Sequence, residues 1–143
     1  MAAFLSGKIV LDTNVFIDYL RAGLHADWVA GHAGNTVRFL SSIVLFELRV
    51  GADTKKRRRV IDHVKAAFPA SRLIAPGAEL YDRAGTLFRH LHGSRDAAGR
   101  LGALNDLLIA LTAWQLGATV VTSNVDDFRA IARHVRGLRW IAP

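Results

Sequence analysis

Apolar positions recur with two periods along the chain. Ile9-Val10-Leu11 is a short β-branched run broken at once by Asp12-Thr13-Asn14. It predicts a buried strand over 8–11 that ends in a polar turn. Phe16, Ile17 and Leu20 share one helical face and predict a helix over 15–21. A polar connection follows across 23–34, with a short helix around 27–33. A second strand is predicted at 37–41 and a helix at 43–50 that Gly51 stops. Thr54 is placed to cap a further helix through 68, carried by Val60, Ile61, Val64 and Phe68 and ended by Pro69. A brief strand at 72–74 precedes Pro76-Gly77. Leu80, Ala84, Leu87 and Leu91 predict a helix over 79–92, and the glycines and charges of 93–102 predict a loop. Residues 104–116 form a nearly all-apolar helix, hence a central one, closed by Gly117. A buried strand at 118–122, a helical turn or two within 127–135 and an edge strand at Trp140-Ile141 complete the pattern.

Strands alternating with helices imply an α/β fold, a three-layer α/β/α sandwich around a mostly parallel sheet of four or five strands. No internal repeat, low-complexity tract or long linker divides the 143 residues, so one domain is expected. No apolar run approaches the roughly 18 residues of a membrane span, and residues 1–10 lack the pattern of a secretion signal. The absence of cysteine removes disulfides, thiolate zinc sites and cysteine nucleophiles, and agrees with a cytoplasmic location. Nineteen Lys and Arg against twelve Asp and Glu give a net charge of +7, a balance that attracts a polyanion such as nucleic acid or an acidic protein, or simply keeps the chain soluble.

Four acids do not follow the usual pattern of surface charge. Asp12 follows the first apolar strand. Glu47 lies inside Ile-Val-Leu-Phe-Glu-Leu. Asp106 precedes Leu107-Leu108-Ile109-Ala110-Leu111 and is read as opening that helix. Asp127, with Asp126 and Asn124, follows Thr119-Val120-Val121-Thr122. Singly, each has a structural explanation as a cap, a turn former or half of an ion pair. Topology joins them, because ligands of an open parallel sheet bind beyond the carboxyl ends of the strands where strand order reverses. If the strands before Asp12 and Asn124 are neighbours at the reversal, both acids reach one crevice, and helices bordering it can add Glu47 and Asp106. Four carboxylates in one pocket cannot all ionise without cations. Hard oxygen ligands without Cys or a clear His set select magnesium or manganese over zinc. Such a pocket on a basic protein suits a phosphodiester, whose charge metals offset and whose flanking phosphates basic side chains hold.

The same residues carry a family likeness. Leu11-Asp12-Thr13-Asn14-Val15-Phe16-Ile17-Asp18, the segment from Ser41 to Gly51 around Glu47, Asn105-Asp106-Leu107-Leu108-Ile109-Ala110 and the segment from Gly117 to Phe128 resemble, in order and spacing, the motifs of PIN-domain ribonucleases, and within them the VapC-type toxins of type II toxin–antitoxin pairs. The resemblance covers nearly the whole chain. It implies a PIN-like sheet of order 3-2-1-4-5, one PIN domain over residues 1–143, and hydrolysis of RNA by metal-activated water with Mg2+, for which Mn2+ can substitute. Asp12 and Asp106 match the principal metal ligands; Glu47 and Asp127 match the remaining acids, at a second metal or through water. Register against the family's Asp-Phe pair selects Asp127 over Asp126. Asn14, Ser41, Thr122 and Asn124 match positions that support the acidic pocket by hydrogen bonding. The resemblance further implies a homodimer, a small antitoxin that silences the nuclease, and a heterotetramer or larger assembly with it.

Other features fit this reading less tightly. Lys55, Lys56, Arg57, Arg58 and Arg59 are the densest basic run, open to an RNA or antitoxin contact or to a solvated helix start. Arg129, Arg133 and Arg136 recur at helical spacing after the fourth motif and are candidates for a basic stripe beside the pocket. His90 and His92 do not share a helical face, and Ser41 and Ser42 lack a partner histidine, so neither a histidine metal site nor a serine nucleophile is indicated. Trp28, Trp114 and Trp140 are read as packing residues. Two alternatives stand beside the nuclease. One is a nucleic-acid-binding PIN module without turnover. The other is a phosphatase with Asp12 as nucleophile, which usually wants a second Asp where this chain has Asn14.

Overall fold

The computed structural model describes residues 6–31, 33–93 and 100–143. The first apolar run becomes β1 (Ser6–Leu11), followed by α1 (Thr13–Ala22), a short α2 (Ala26–Val29) and β2 (Asn35–Ser41). Then come α3 (Ser42–Gly51), α4 (Lys55–Ala66), a 3-10 turn (Ala70–Arg72), β3 (Leu73–Ile74) and α5 (Ala78–His92). The chain continues through α6 (Leu101–Leu116), β4 (Thr119–Val121), α7 (Val125–Ala132) and β5 (Arg139–Ile141).

The strands make a five-stranded sheet of order β3-β2-β1-β4-β5, every pair parallel. The expected order is therefore observed, and the expected mostly parallel sheet is wholly parallel. Parallel neighbours need crossover connections, and helices supply each of them. Right-handed crossovers put α1 to α4 on one face and α5 to α7 on the other. The packing of α1 on α3 and α3 on α4, and of α6 on α5 and α7, agrees with this division. The central strands are sealed on both sides: Ile9, Val10, Val120 and Val121 are fully buried, packed with Phe16, Ile109, Leu111 and Phe128. Trp28 joins this core, in line with its reading as a packing residue. Among the described residues no helix is long and apolar enough to cross a membrane.

Several helices begin earlier than apolar periodicity predicts, and caps explain two of them. Asp12 and Ser41 accept hydrogen bonds from the first turns of α1 and α3, so those helices start at Thr13 and Ser42. Thr54 caps α4 as expected, accepting from the Arg57 N–H at 3.1 Å. Helix α6 starts at Leu101 rather than 104. One internal glycine, Gly102, costs only about 1 kcal/mol, which a 16-residue helix absorbs. Asp106 is thus in the second turn, not at the helix opening, and a helix dipole no longer accounts for it. Most of the loop expected at 93–102, residues 94–99, lies outside the described residues. Helix α7 runs over 125–132 rather than 127–135, since the chain turns at His134 to lead into β5.

Candidate active site

Strand order reverses between β1 and β4, and the site lies at their carboxyl ends. Asp12 leaves β1 with its backbone N–H still bonded to the Val121 carbonyl at 2.9 Å. Its side chain is 2 % exposed. One carboxylate oxygen accepts from the Thr13 N–H at 2.8 Å. The other accepts from the Thr122 hydroxyl at 2.7 Å and the Asn14 amide at 3.0 Å. Asn14 in turn accepts from the Ser123 N–H at 3.0 Å, and Thr122 accepts from the Asn124 N–H at 2.9 Å. The two turns after β1 and β4 are therefore laced together around one carboxylate.

Asn124 extends the network to the third and fourth motifs. Its amide nitrogen donates to Asp106 at 2.9 Å and to Asp127 at 2.8 Å. The neighbouring Asp126 is almost fully exposed and paired with Arg129 at 3.2 Å. Helical phase separates the two acids: Asp127 turns toward the site and Asp126 away from it. Glu47 arrives from α3 and accepts from the Thr13 hydroxyl at 2.7 Å. Ser41 is fully buried, yet it caps α3, accepting from the Ile43 N–H at 3.2 Å. It touches none of the four acids through a described hydrogen bond and acts on Glu47 only by fixing the helix that carries it. Thr13 was not singled out by the sequence patterns; its place between Asp12 and Asn14 was the available signal.

Electrostatics sets this cluster apart from ordinary surface charge. Among the described residues none of the four acids is paired with Lys, Arg or His. Burial raises the Asp12 carboxyl above its ordinary range despite bonds from Thr122, Thr13 and Asn14, and the charge of Glu47 adds to the rise. Asp106 is pushed up to about 8, first by burial and then by Asp12, Asp127 and Glu47. That mutual influence means the four acids share one electrostatic neighbourhood. Among the described residues no three acidic or histidine side chains stand close enough to chelate one ion as placed. The donor chemistry nevertheless fits a hard divalent cation: carboxylates without positive neighbours, ringed by amides and hydroxyls.

The basic candidates distribute differently. Lys55, Lys56, Arg57 and Arg58 lie exposed at the start of α4, with Arg57 paired to Asp53 at 2.6 Å. Lys56, Arg57 and Arg21 rim a groove of about 610 Å³ whose apolar wall includes Leu20, Leu48 and Val60 and which Glu47 also lines. Arg129 lies over the Trp140 ring at 5.9 Å, and Arg133, four residues on, shares its helical side with Asp126. The expected stripe beside the pocket is therefore turned away from Asp127. Trp114 donates to the Arg136 carbonyl at 3.0 Å, a packing role.

The chain is similar in structure to VapBC-1 from nontypeable Haemophilus influenzae, at 26% identity over 94% of this chain and 97% of that chain, with a TM-score of 0.67. It is also similar to FitAcB from Neisseria gonorrhoeae, at 25% identity over 93% and 96% of the two chains, with a TM-score of 0.63. VapBC2 from Rickettsia felis, solved with a DNA fragment from its promoter, shares the fold at 24% identity over 95% and 98%, with a TM-score of 0.62. No curated protein sequence gives a significant match. The PIN domain as a sequence family matches residues 9–134, a span that runs from β1 past α7 and takes in Asp12, Glu47, Asp106 and Asp127, and the chain belongs to the PIN-domain family.

Proposed function

We propose that this chain is one PIN domain acting as a magnesium-dependent endoribonuclease, the toxin of a type II toxin–antitoxin pair. The observation that carries the reading is the gathering of Asp12, Glu47, Asp106 and Asp127 from four segments, with no described cation paired to any of them, on a protein of net charge +7. Asp12 and Asp106 would be the principal ligands, with Glu47 and Asp127 completing the acidic set. A bound Mg2+ supplies positive charge against the scissile phosphate and lowers the pKa of water. The protein's own part is orientation. Thr122 and Asn14 fix Asp12, Asn124 holds Asp106 and Asp127 at one donor, and exposed Lys and Arg attract the phosphates on either side. Asn14 is occupied as donor to Asp12 and acceptor from Ser123, which leaves the phosphatase alternative without its second acid.

The groove beside Glu47 supports the partner half of the reading. An apolar wall and a cationic rim suit an amphipathic segment with acidic flanks, the chemistry expected of an antitoxin tail. Homodimerisation and a larger assembly with antitoxin belong to the same proposal; the similar VapBC and FitAcB structures are toxin–antitoxin assemblies.

The purified chain, freed of any partner, is expected to cut total cellular RNA in 5 mM (about) MgCl2 and to lose at least ~100-fold of that rate in excess EDTA, with recovery on adding Mg2+ or Mn2+. Gel profiles of the RNA read the outcome, and cleavage that persists in chelator sinks the proposal. A PIN module that binds RNA without turnover is the second reading, to which the net charge of +7 is equally suited. Tight RNA binding with no cutting in either metal would establish it instead. Within the nuclease reading, Asp127→Asn is expected to slow cleavage roughly 10–100-fold while Asp126→Asn stays within about twofold. Equal losses in the two variants would remove Asp127 from the acidic set.

A further inference from the structure

We propose that Thr13 is a positioning residue that ties Glu47 to Asp12, so that the acid from α3 joins the site in a fixed pose; the inference rests on the metal-dependent reading above. Thr13 is the first residue of α1 and is 8 % exposed. It makes two hydrogen bonds to two different acids. Its backbone N–H donates to Asp12 at 2.8 Å and its hydroxyl donates to Glu47 at 2.7 Å, across 34 residues of sequence.

Glu47 needs such a tie more than the other acids do. It has one more rotatable bond than aspartate and comes from a helix on which no other described hydrogen bond or ion pair restrains its carboxylate. Asp12 already has three donors, and Asp106 and Asp127 share Asn124. Glu47 also lines the groove that Lys56 and Arg57 line, so its carboxylate is open to that space on one side. The Thr13 hydroxyl holds it on the Asp12 side. A β-branched residue suits the task because few rotamers are open to it in a helix.

The role is separable from helix capping, since Asp12 is already the N-cap of α1. Thr13→Val keeps shape and volume and deletes the hydroxyl; Thr13→Ser keeps the hydroxyl; Thr13→Ala serves if the valine variant does not fold. Calorimetric titration of each purified variant with MnCl2 alone reads the effect without catalysis. Thr13→Val (or Thr13→Ala) is expected to weaken Mn2+ binding about tenfold, with Thr13→Ser within about threefold of wild type. Combined with Glu47→Gln, the valine change is expected to add no further loss, because both act through one contact. Wild-type affinity in Thr13→Val, equal weakening in valine and serine variants, or additive losses with Glu47→Gln would overturn the proposal. A wild-type chain that binds no Mn2+ at all would instead overturn the metal-dependent reading, and this inference with it.

Discussion

Asp12→Asn and Asp106→Asn are each expected to lower magnesium-dependent RNA cleavage by about 10³-fold or more, with folding preserved. Each change removes one oxygen donor and, once a cation is bound, one negative charge that holds it. Metal catalysis supplies several kcal/mol to this kind of reaction, and about 4 kcal/mol is worth ~10³ in rate. Folding should survive for a reason visible in the site. Asparagine is as good an N-cap as aspartate, so α1 keeps its start. The new amide group would face the Thr122 hydroxyl, which can rotate to accept rather than donate; it forfeits the bond from the Asn14 amide, but the desolvation cost of a buried carboxylate disappears. Melting temperatures should therefore shift by no more than a few degrees while cleavage of total RNA is lost. Undiminished cleavage by either folded variant would reject the assignment of these acids.

The second large effect is on stability in the absence of metal. The Asp106 carboxyl is pushed up to about 8 in the folded protein from an ordinary value of 3.8, by burial and by Asp12, Asp127 and Glu47. Between those two values the native state holds a proton that the unfolded chain has lost. Unfolding then releases it, so stability falls as pH rises through the window and the penalty is complete above about 8. Solvent around a partly open pocket screens the effect, so a penalty of roughly 1–3 kcal/mol, or about 3–10 °C, is the expectation at alkaline pH. In EDTA, Asp106→Asn should melt above wild type at pH 8.5, and the gap should shrink as pH falls and close only below the ordinary value of 3.8, where the acid is neutral in both folded and unfolded chains. Magnesium at pH 8.5 should raise the wild-type melting temperature and leave the variant nearly unmoved. Parallel melting curves for the two proteins across pH would show that Asp106 does not carry the repulsion.

The parts of this architecture that depend on local pattern could be read before folding, and those that depend on contact between distant segments could not. Ile9-Val10-Leu11 and Thr119-Val120-Val121 announce buried strands because parallel strands are covered on both faces. Asp12, Glu47 and Asp106 attract notice for the same reason, as charges set in apolar sequence. Strand order is different: no periodicity says that β1 lies between β2 and β4, and here it entered through resemblance to a family. Asp126 and Asp127 are indistinguishable in composition and are separated only by their phase on α7. The hydroxyl of Thr13 meets Glu47 across 34 residues, a pairing no short window contains. Ser41 stands just before an apolar helical run, the position of a cap signal, and it caps the helix that carries Glu47.

The bond between Asp12 and Thr122 spans 110 residues of sequence. During synthesis the amino-terminal half of the site therefore leaves the ribosome long before β4 and α7 exist to meet it. A growing polypeptide holds Asp12 without Thr122, Asn124 or Asp127, and β1 has no neighbour on one of its sides. On the ribosome the pocket cannot close before β4 and α7 have emerged, so translation itself sets a delay between the first acid and the finished site.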